Sequence, residues 1–154
     1  INGNMINSRT IILRKVDNKT KILFFYSDSR SRKVLNIIQN NNVTVHLYEP
    51  RFKLQVQLYG YAKIENNSEK TKNIWSSLNS FSKKNYLSAL SPGEKIDSLE
   101  NLKYNTDNEE AYSNFSLIYF KVTKLECLQL SDIKNIRVEF VYTESSDKKY
   151  YMVP

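Results

Sequence analysis

The sequence predicts a mainly β fold: a closed or nearly closed antiparallel barrel with helices at its rim. Three observations predict it. The elements read in order as a strand hairpin, a helix, a second strand hairpin, a pair of helices and three closing strands. Strands and helices do not alternate in the regular way a parallel βαβ sheet requires. Several strand patterns are also long enough to pair antiparallel across a barrel wall.

Asn2-Gly3-Asn4 reads as a tight hairpin turn. A turn needs a strand before it, so the chain is expected to lack the start of its own domain. Residues 9–16 read as a strand, Asp17-Asn18-Lys19-Thr20 as a turn and residues 22–26 as the returning strand. From residue 31 to 39 Val34, Leu35, Ile37 and Ile38 fall at helical spacing, with Ser29 or Ser31 as the N-cap and Asn40-Asn41-Asn42 as the stop. Residues 43–48 alternate apolar and polar, with the single histidine, His46, on the second face as an interface or sheet-surface residue. Glu49-Pro50-Arg51 turns the chain into a long strand, residues 53–64, where Gly60 predicts a bulge or a sharp bend.

Ser68 predicts the cap of a helix reaching Leu78, with Ile74, Trp75 and Leu78 as core anchors. A second short helix is expected over residues 82–90, stopping at Ser91-Pro92-Gly93. The polar stretch 94–111 reads as a connecting excursion or a lid. Strands are expected at 116–125, 138–142 and 150–153, the last two joined through Glu144-Ser145-Ser146-Asp147-Lys148. No repeat or linker divides the chain, so its 154 residues are expected to form one domain.

Composition narrows the functions. No apolar run approaches the ~18 residues of a membrane span, and the first residues lack the basic-then-apolar layout of a signal peptide. The expected location is the cytoplasm, without a membrane partner. The lone Cys127 cannot close an internal disulfide and has no Cys or His nearby with which to hold a metal, so it reads as a small buried hydrophobe and no metal is expected. The net charge of +7 sits in one half. Lys and Arg outnumber Asp and Glu 13 to 5 in residues 1–77, against 10 to 11 in residues 78–154. A basic half suits an anionic small molecule, a nucleic acid or only a solvated surface.

Two runs inside that half carry the chemistry. They are Ser8-Arg9-Thr10-Ile11-Ile12-Leu13-Arg14, and Phe25-Tyr26-Ser27-Asp28-Ser29-Arg30-Ser31-Arg32-Lys33. The second predicts a strand leaving through a hydroxyl-rich turn into a helix that begins Ser-Arg-Lys. Hydroxyls, backbone N–H groups at a helix start and several cations are what a phosphate ester needs, because the helix dipole and charge-assisted hydrogen bonds both favour the dianion. In a strand Arg9 and Arg14 would lie roughly 16 Å apart, suited to the two ends of an extended ligand.

These runs, continued as FFYSDSRSRKVLNIIQNNNVTVHLYEP and LQVQLYGYAKI, resemble the FMN-binding split-barrel family of pyridoxamine 5′-phosphate oxidases, most nearly its oxidase-related branch. The resemblance runs in order from Ser8 to Ile64 and returns around Trp75 to Gly93 and in the final hairpin. It implies an antiparallel FMN-binding split β-barrel, with FMN as cofactor. Arg9 would stand near the phosphate, the backbone of Thr10, Ile11 and Ile12 along the flavin, and Arg14 near the ring. Tyr26 and Ser27 match the family's aromatic-hydroxyl pair, and Ser31, Arg32 and Lys33 its phosphate-gripping Ser-Arg-Lys. Gln55 matches a glutamine that contacts the ring, commonly from the other subunit, which implies a homodimer with flavin sites at the interface.

The same comparison shows departures. Asn135, Arg137 and Glu139 stand where the oxidases keep an Arg-x-His motif and a further Arg, and Leu128 or Gln129 stands in place of a stacking tryptophan. The phosphate-gripping Tyr, Arg and Ser are not matched around Trp75 to Lys84, and the chain is expected to lack the family's first strand and helix. Arg137 is a candidate for substrate contact. The implied function is an FMN-dependent oxidoreductase acting on a small anionic substrate. The alternatives are a flavin-binding or sensing barrel without turnover, and a nucleic-acid-binding barrel using the basic half and its tyrosines.

Overall fold

The computed structural model describes residues 6–154. The expected turn at Asn2-Gly3-Asn4 lies outside them. Seven strands form one antiparallel-rich sheet: β1 Leu13–Asp17, β2 Ile22–Asp28, β3 Asn42–Glu49, β4 Leu54–Asn66, β5 Phe115–Gln129, β6 Ile136–Tyr142 and β7 Asp147–Met152. Their hydrogen-bonded order is β1-β2-β5-β4-β3, with β6 also on β5 and β7 on β6. β5, at 15 residues, is long enough to serve three partners. Among the described residues four α-helices connect the strands: α1 Arg32–Gln39, α2 Glu69–Ser77, α3 Ser80–Lys84 and α4 Asn108–Ser113. This is the mainly β fold with peripheral helices that the element order predicts.

By its contacts the chain falls into two compact units. One comprises the described residues through Lys15 with Phe24–Asn41 and Lys63–Tyr119; the other comprises Val16–Leu23, Asn42–Ala62 and Phe120–Pro154. The first unit holds all four helices. Its core is an aromatic cluster of Trp75, Tyr86, Ala111 and Phe115, against which Tyr26, Ile74 and Tyr112 pack. The Trp75 ring lies 5.5 Å from Tyr86 and 5.6 Å from Phe115, and Tyr26 meets Phe115 edge-on at 5.2 Å. Such tilted pairs set the ring edges against neighbouring faces, which adds to the burial energy. Trp75 is thus a core residue, as expected. In the second unit Leu23, Leu58, Ala62, Phe120 and Val122 are buried.

Several boundaries differ from expectation. The first strand covers Leu13–Asp17 rather than residues 9–16, and residues 6–12 have no regular secondary structure. The apolar residues there bury no face, with Ile12 62% exposed. Gly60 marks neither a break nor a bulge. β3 and β4 pair in one unbroken register, Val43 opposite Gly60 and Glu49 opposite Leu54. The glycine serves a close approach instead: a methyl group at that point would run into the Lys121 carbonyl of β5.

The helix expected over residues 82–90 is α3, which starts earlier and ends at Lys84. Asn79 takes the cap, its side chain accepting from Ser82 N at 2.8 Å. The chain beyond is held by a bridge between Ser88 and Tyr104 and by Asn105 N donating to Leu87 O at 2.6 Å. The excursion after it therefore folds back, and Asp107 caps α4 within it. In the final hairpin Tyr142 pairs with Asp147, so Asp147 and Lys148 belong to β7 and only residues 143–146 turn. β5 extends the expected 116–125 at both ends.

Candidate functional site

In the first unit a groove of about 250 Å³ is lined by Thr10, Ile11, Ile12, Arg14, Tyr26, Ser27, Asp28, Lys33, Asn85 and Tyr86. The strand β2 delivers Tyr26, Ser27 and Asp28, and α1 begins four residues later, so both ends of one turn face the same space. Ser27 and Ser31 are buried and their hydroxyls lie 3.1 Å apart. The half-buried Lys33 ammonium donates to Ser27 Oγ at 2.9 Å and to Ser31 Oγ at 3.4 Å.

Ser31 occupies the N-cap position of α1, as the spacing predicts, yet its hydroxyl makes no capping bond, and the first turn contains no acidic residue. Arg32 and Lys33 stand there instead, against the sign the helix dipole favours by about 0.3–1 kcal/mol per charge. A negative group at the mouth of the helix would match both the dipole and these cations. Burial lowers the Lys33 pKa first and the charge of Arg9 lowers it further, with Asp28 opposing.

Asp28 is a buried carboxylate in this cationic groove, but its charge is matched. Oδ1 accepts from Arg30 N at 2.8 Å and from Arg30 Nε at 3.1 Å, and Oδ2 accepts from the same guanidinium at 2.8 Å. Arg30 also donates to Ser88 O at 3.0 Å and Ala89 O at 3.4 Å, tying the turn to the segment that carries Tyr86. Asn114 Nδ2 holds the Tyr86 carbonyl at 3.0 Å. Burial pushes the Tyr86 phenol up to about 12, so it is a neutral hydrogen-bonding group at ordinary pH. The Arg14 guanidinium lies 5.2 Å from the Tyr26 ring centroid, a cation–π contact that leaves its charge available.

Of the residues singled out from the sequence, Thr10, Ile11, Ile12, Arg14, Tyr26, Ser27 and Lys33 line the groove, and Ser31 touches two of them. Arg9 is exposed and reaches the site through its charge on Lys33. Arg32 is exposed on α1 and lines no part of the groove. Gln55 is half-buried in the second unit, opposite Tyr48 in the β3–β4 register. Arg137, also in that unit, is held by the buried Glu126, to whose Oε1 its Nε donates at 2.9 Å. Asp28, Asn85 and Tyr86 were not singled out. Asp28 lies inside the quoted turn, but Asn85 and Tyr86 follow a helix fifty residues on, with only an aromatic after a Lys-Lys-Asn run to signal them.

Solved structures share this architecture. A pyridoxamine 5′-phosphate oxidase-related, FMN binding protein from Nostoc punctiforme superposes with a TM-score of 0.77 at 20% identity, over 95% of this chain and 80% of that one. PhzG from Burkholderia lata, solved in complex with tetrahydrophenazine-1-carboxylic acid, gives 0.77 at 17% identity, over 97% and 76%. The fold is that of the pyridoxamine 5′-phosphate oxidase-related proteins. A protein from Clostridium acetobutylicum related to general stress protein 26 of Bacillus subtilis, of the pyridoxinephosphate oxidase family, has the same fold at a TM-score of 0.58 and 11% identity, over 88% and 78%. No family model and no curated protein matches the chain. The split-barrel resemblance drawn from SRTIILR and SRSRK thus holds at the level of the fold, and no helix of the described residues is long and apolar enough to cross a membrane.

Proposed function

We propose that this protein is an FMN-binding flavoprotein and an oxidoreductase acting on a small anionic substrate. One observation carries the reading: a lysine ammonium seated on two buried serine hydroxyls at a helix start that has neither a capping bond nor an acid. That donor set fits a phosphate monoester, since it supplies positive charge, hydroxyl donors and backbone N–H groups, and the one buried carboxylate nearby is matched by Arg30.

Ser27, Ser31 and Lys33 hold the phosphate, with Arg9 adding charge and Arg32 steering from the surface. Thr10, Ile11 and Ile12 lie outside any strand, so their backbone groups are available to a ring's polar edge. Arg14, over the Tyr26 ring, would then stand near that edge. Bound flavin would supply hydride and electron transfer, and Arg14 would set a cation beside its ring. A groove of about 250 Å³ is small for a cofactor buried as such ligands usually are, in pockets of roughly 300–1,000 Å³. A second protomer completing the site, with its Gln55 at the ring, accounts for the remainder, and the protein is a homodimer in this reading.

A second reading, flavin binding without turnover, has one observation in its favour. Arg137 and Glu139, at positions where the resembled oxidases contact their ligands, are engaged by Glu126 and Lys124, the latter pair at 3.0 Å. The test is the visible spectrum of the purified protein, with FMN added if it is colourless. The expected results are flavin absorbance on the protein, tight FMN titration and an elution volume of a dimer. Bleaching by a candidate anionic substrate, reversed in air, selects the oxidoreductase; flavin that no reductant substrate bleaches selects the second reading. Protein that ignores FMN overturns both.

A further inference from the structure

A second cavity, of about 190 Å³, opens in the first unit, lined by Lys15, Phe24, Tyr26, Lys70, Ile74 and Leu117. Four of these six present apolar or aromatic surface, which does not replace the water around a fully hydrated ion. The two charged members are both cations. Lys70 Nζ stands 5.2 Å from the Phe24 ring centroid and 4.6 Å from that of Tyr119, and Lys15 Nζ lies 5.9 Å from the Phe24 centroid. Ring faces hold an ammonium group in place without neutralising it. No ion pair among the described residues includes Lys15 or Lys70. Glu65, the carboxylate that feels the Lys70 charge, accepts instead from the hydroxyls of Ser68 and Tyr119.

We infer that this cavity binds a small organic monoanion with a single-ring apolar body: a ring carboxylic acid, its carboxylate at Lys15 and Lys70 and its ring against Phe24, Tyr26, Ile74 and Leu117. Size supports the class. The volume holds about six waters at ~30 Å³ each and lies below the ~300 Å³ where pockets for larger ligands begin, so a nucleotide is too large. Charge and surface support it together, because the floor rewards an apolar body and the rim an anionic head. Tyr26 lines both this cavity and the groove. The site stands whether or not the groove takes flavin.

Saturation-transfer NMR with benzoate on the purified chain tests this, with benzyl alcohol and inorganic phosphate as the uncharged and the purely anionic probes. Benzoate binds, phosphate does not displace it, and benzyl alcohol binds about tenfold more weakly. Lys15→Gln with Lys70→Gln lowers benzoate affinity about tenfold or more, and Ile74→Phe, which fills the cavity without changing charge, lowers it as well, while FMN titration is unchanged in the lysine variant. Absence of benzoate binding at millimolar concentration, equal binding by the double lysine variant, or displacement by phosphate overturns the inference. Protein that binds benzoate but not FMN removes the cofactor reading alone; protein that binds FMN but not benzoate removes this one alone.

Discussion

Two helices of the same unit begin with a serine and end up with opposite needs. At α2 Ser68 forms a complete capping box: its hydroxyl accepts from Thr71 N at 3.1 Å, and its own N–H donates to Thr71 Oγ1 at 2.9 Å. Glu69 in the first turn adds the charge the dipole favours. At α1 the Ser31 hydroxyl turns away from the helix to Ser27 and Lys33, and the first turn carries two cations and no acid. One helix start satisfies itself; the other has neither a side-chain cap nor an acid against its dipole, which is where the proposed phosphate would sit. A serine before a helix is therefore a stability residue or a ligand residue according to what its hydroxyl touches, and the neighbouring charges tell which.

Variants at the two ends should separate accordingly. The largest effect is expected at Lys33→Ala, which should weaken FMN by about 1.5–3 kcal/mol, as for a charge-assisted contact, in a flavin fluorescence titration. Unchanged affinity would mean that α1 is not the phosphate end. The same lysine sets a pH dependence. Its pKa is lowered, and a bound dianion favours the ammonium, so affinity should fall as pH rises through the alkaline range below 10.5, and Lys33→Arg should flatten the profile. Stability of the free protein runs the other way. The unfolded chain holds this proton more tightly, so the penalty is full below the lowered folded pKa and is relieved as pH rises toward 10.5.

Ser68→Ala should cost about 1 kcal/mol of stability by thermal or urea unfolding and leave FMN affinity alone. Ser31→Ala should do the reverse, lowering affinity with less loss of stability; equal stability losses at both serines would erase the contrast. Gln55→Ala is expected to weaken riboflavin and FMN alike, by about 0.5–1.5 kcal/mol, since it acts on the ring. Preferential loss of FMN would place Gln55 at the phosphate. The smallest effect is expected at the exposed Arg32→Ala, below about 1 kcal/mol, seen chiefly as a steeper loss at high salt in the native protein than in the variant.

Patterns that need only near neighbours were readable in the chain. The span of α1, the Asp17 turn, whose side chain accepts from Lys19 N at 3.0 Å and Thr20 N at 3.2 Å, and the Ser68 cap are all set within three or four residues. The resemblance of SRTIILR and SRSRK to known barrels added the fold and the order of the groove residues. Where partners lie far apart in sequence, the reading stopped. The role of Gly60 depends on a carbonyl sixty residues away, and the state of Arg137 on Glu126 across a strand pair.

By itself, then, the sequence determined most of the strands, the helices α1 and α2, and the run of hydroxyls and cations around the start of α1, because spacing and charge are local properties; it misplaced the first strand and α3 and did not show α4. Only the tertiary structure decided that Ser31 binds Lys33 rather than capping its helix, that Arg30 cancels Asp28 while holding the segment of Tyr86, and that Arg32 points to solvent although it adjoins Lys33. The physical reason is that a hydrogen bond or an ion pair is fixed by distances between side chains, and those distances exist only once the chain has closed on itself.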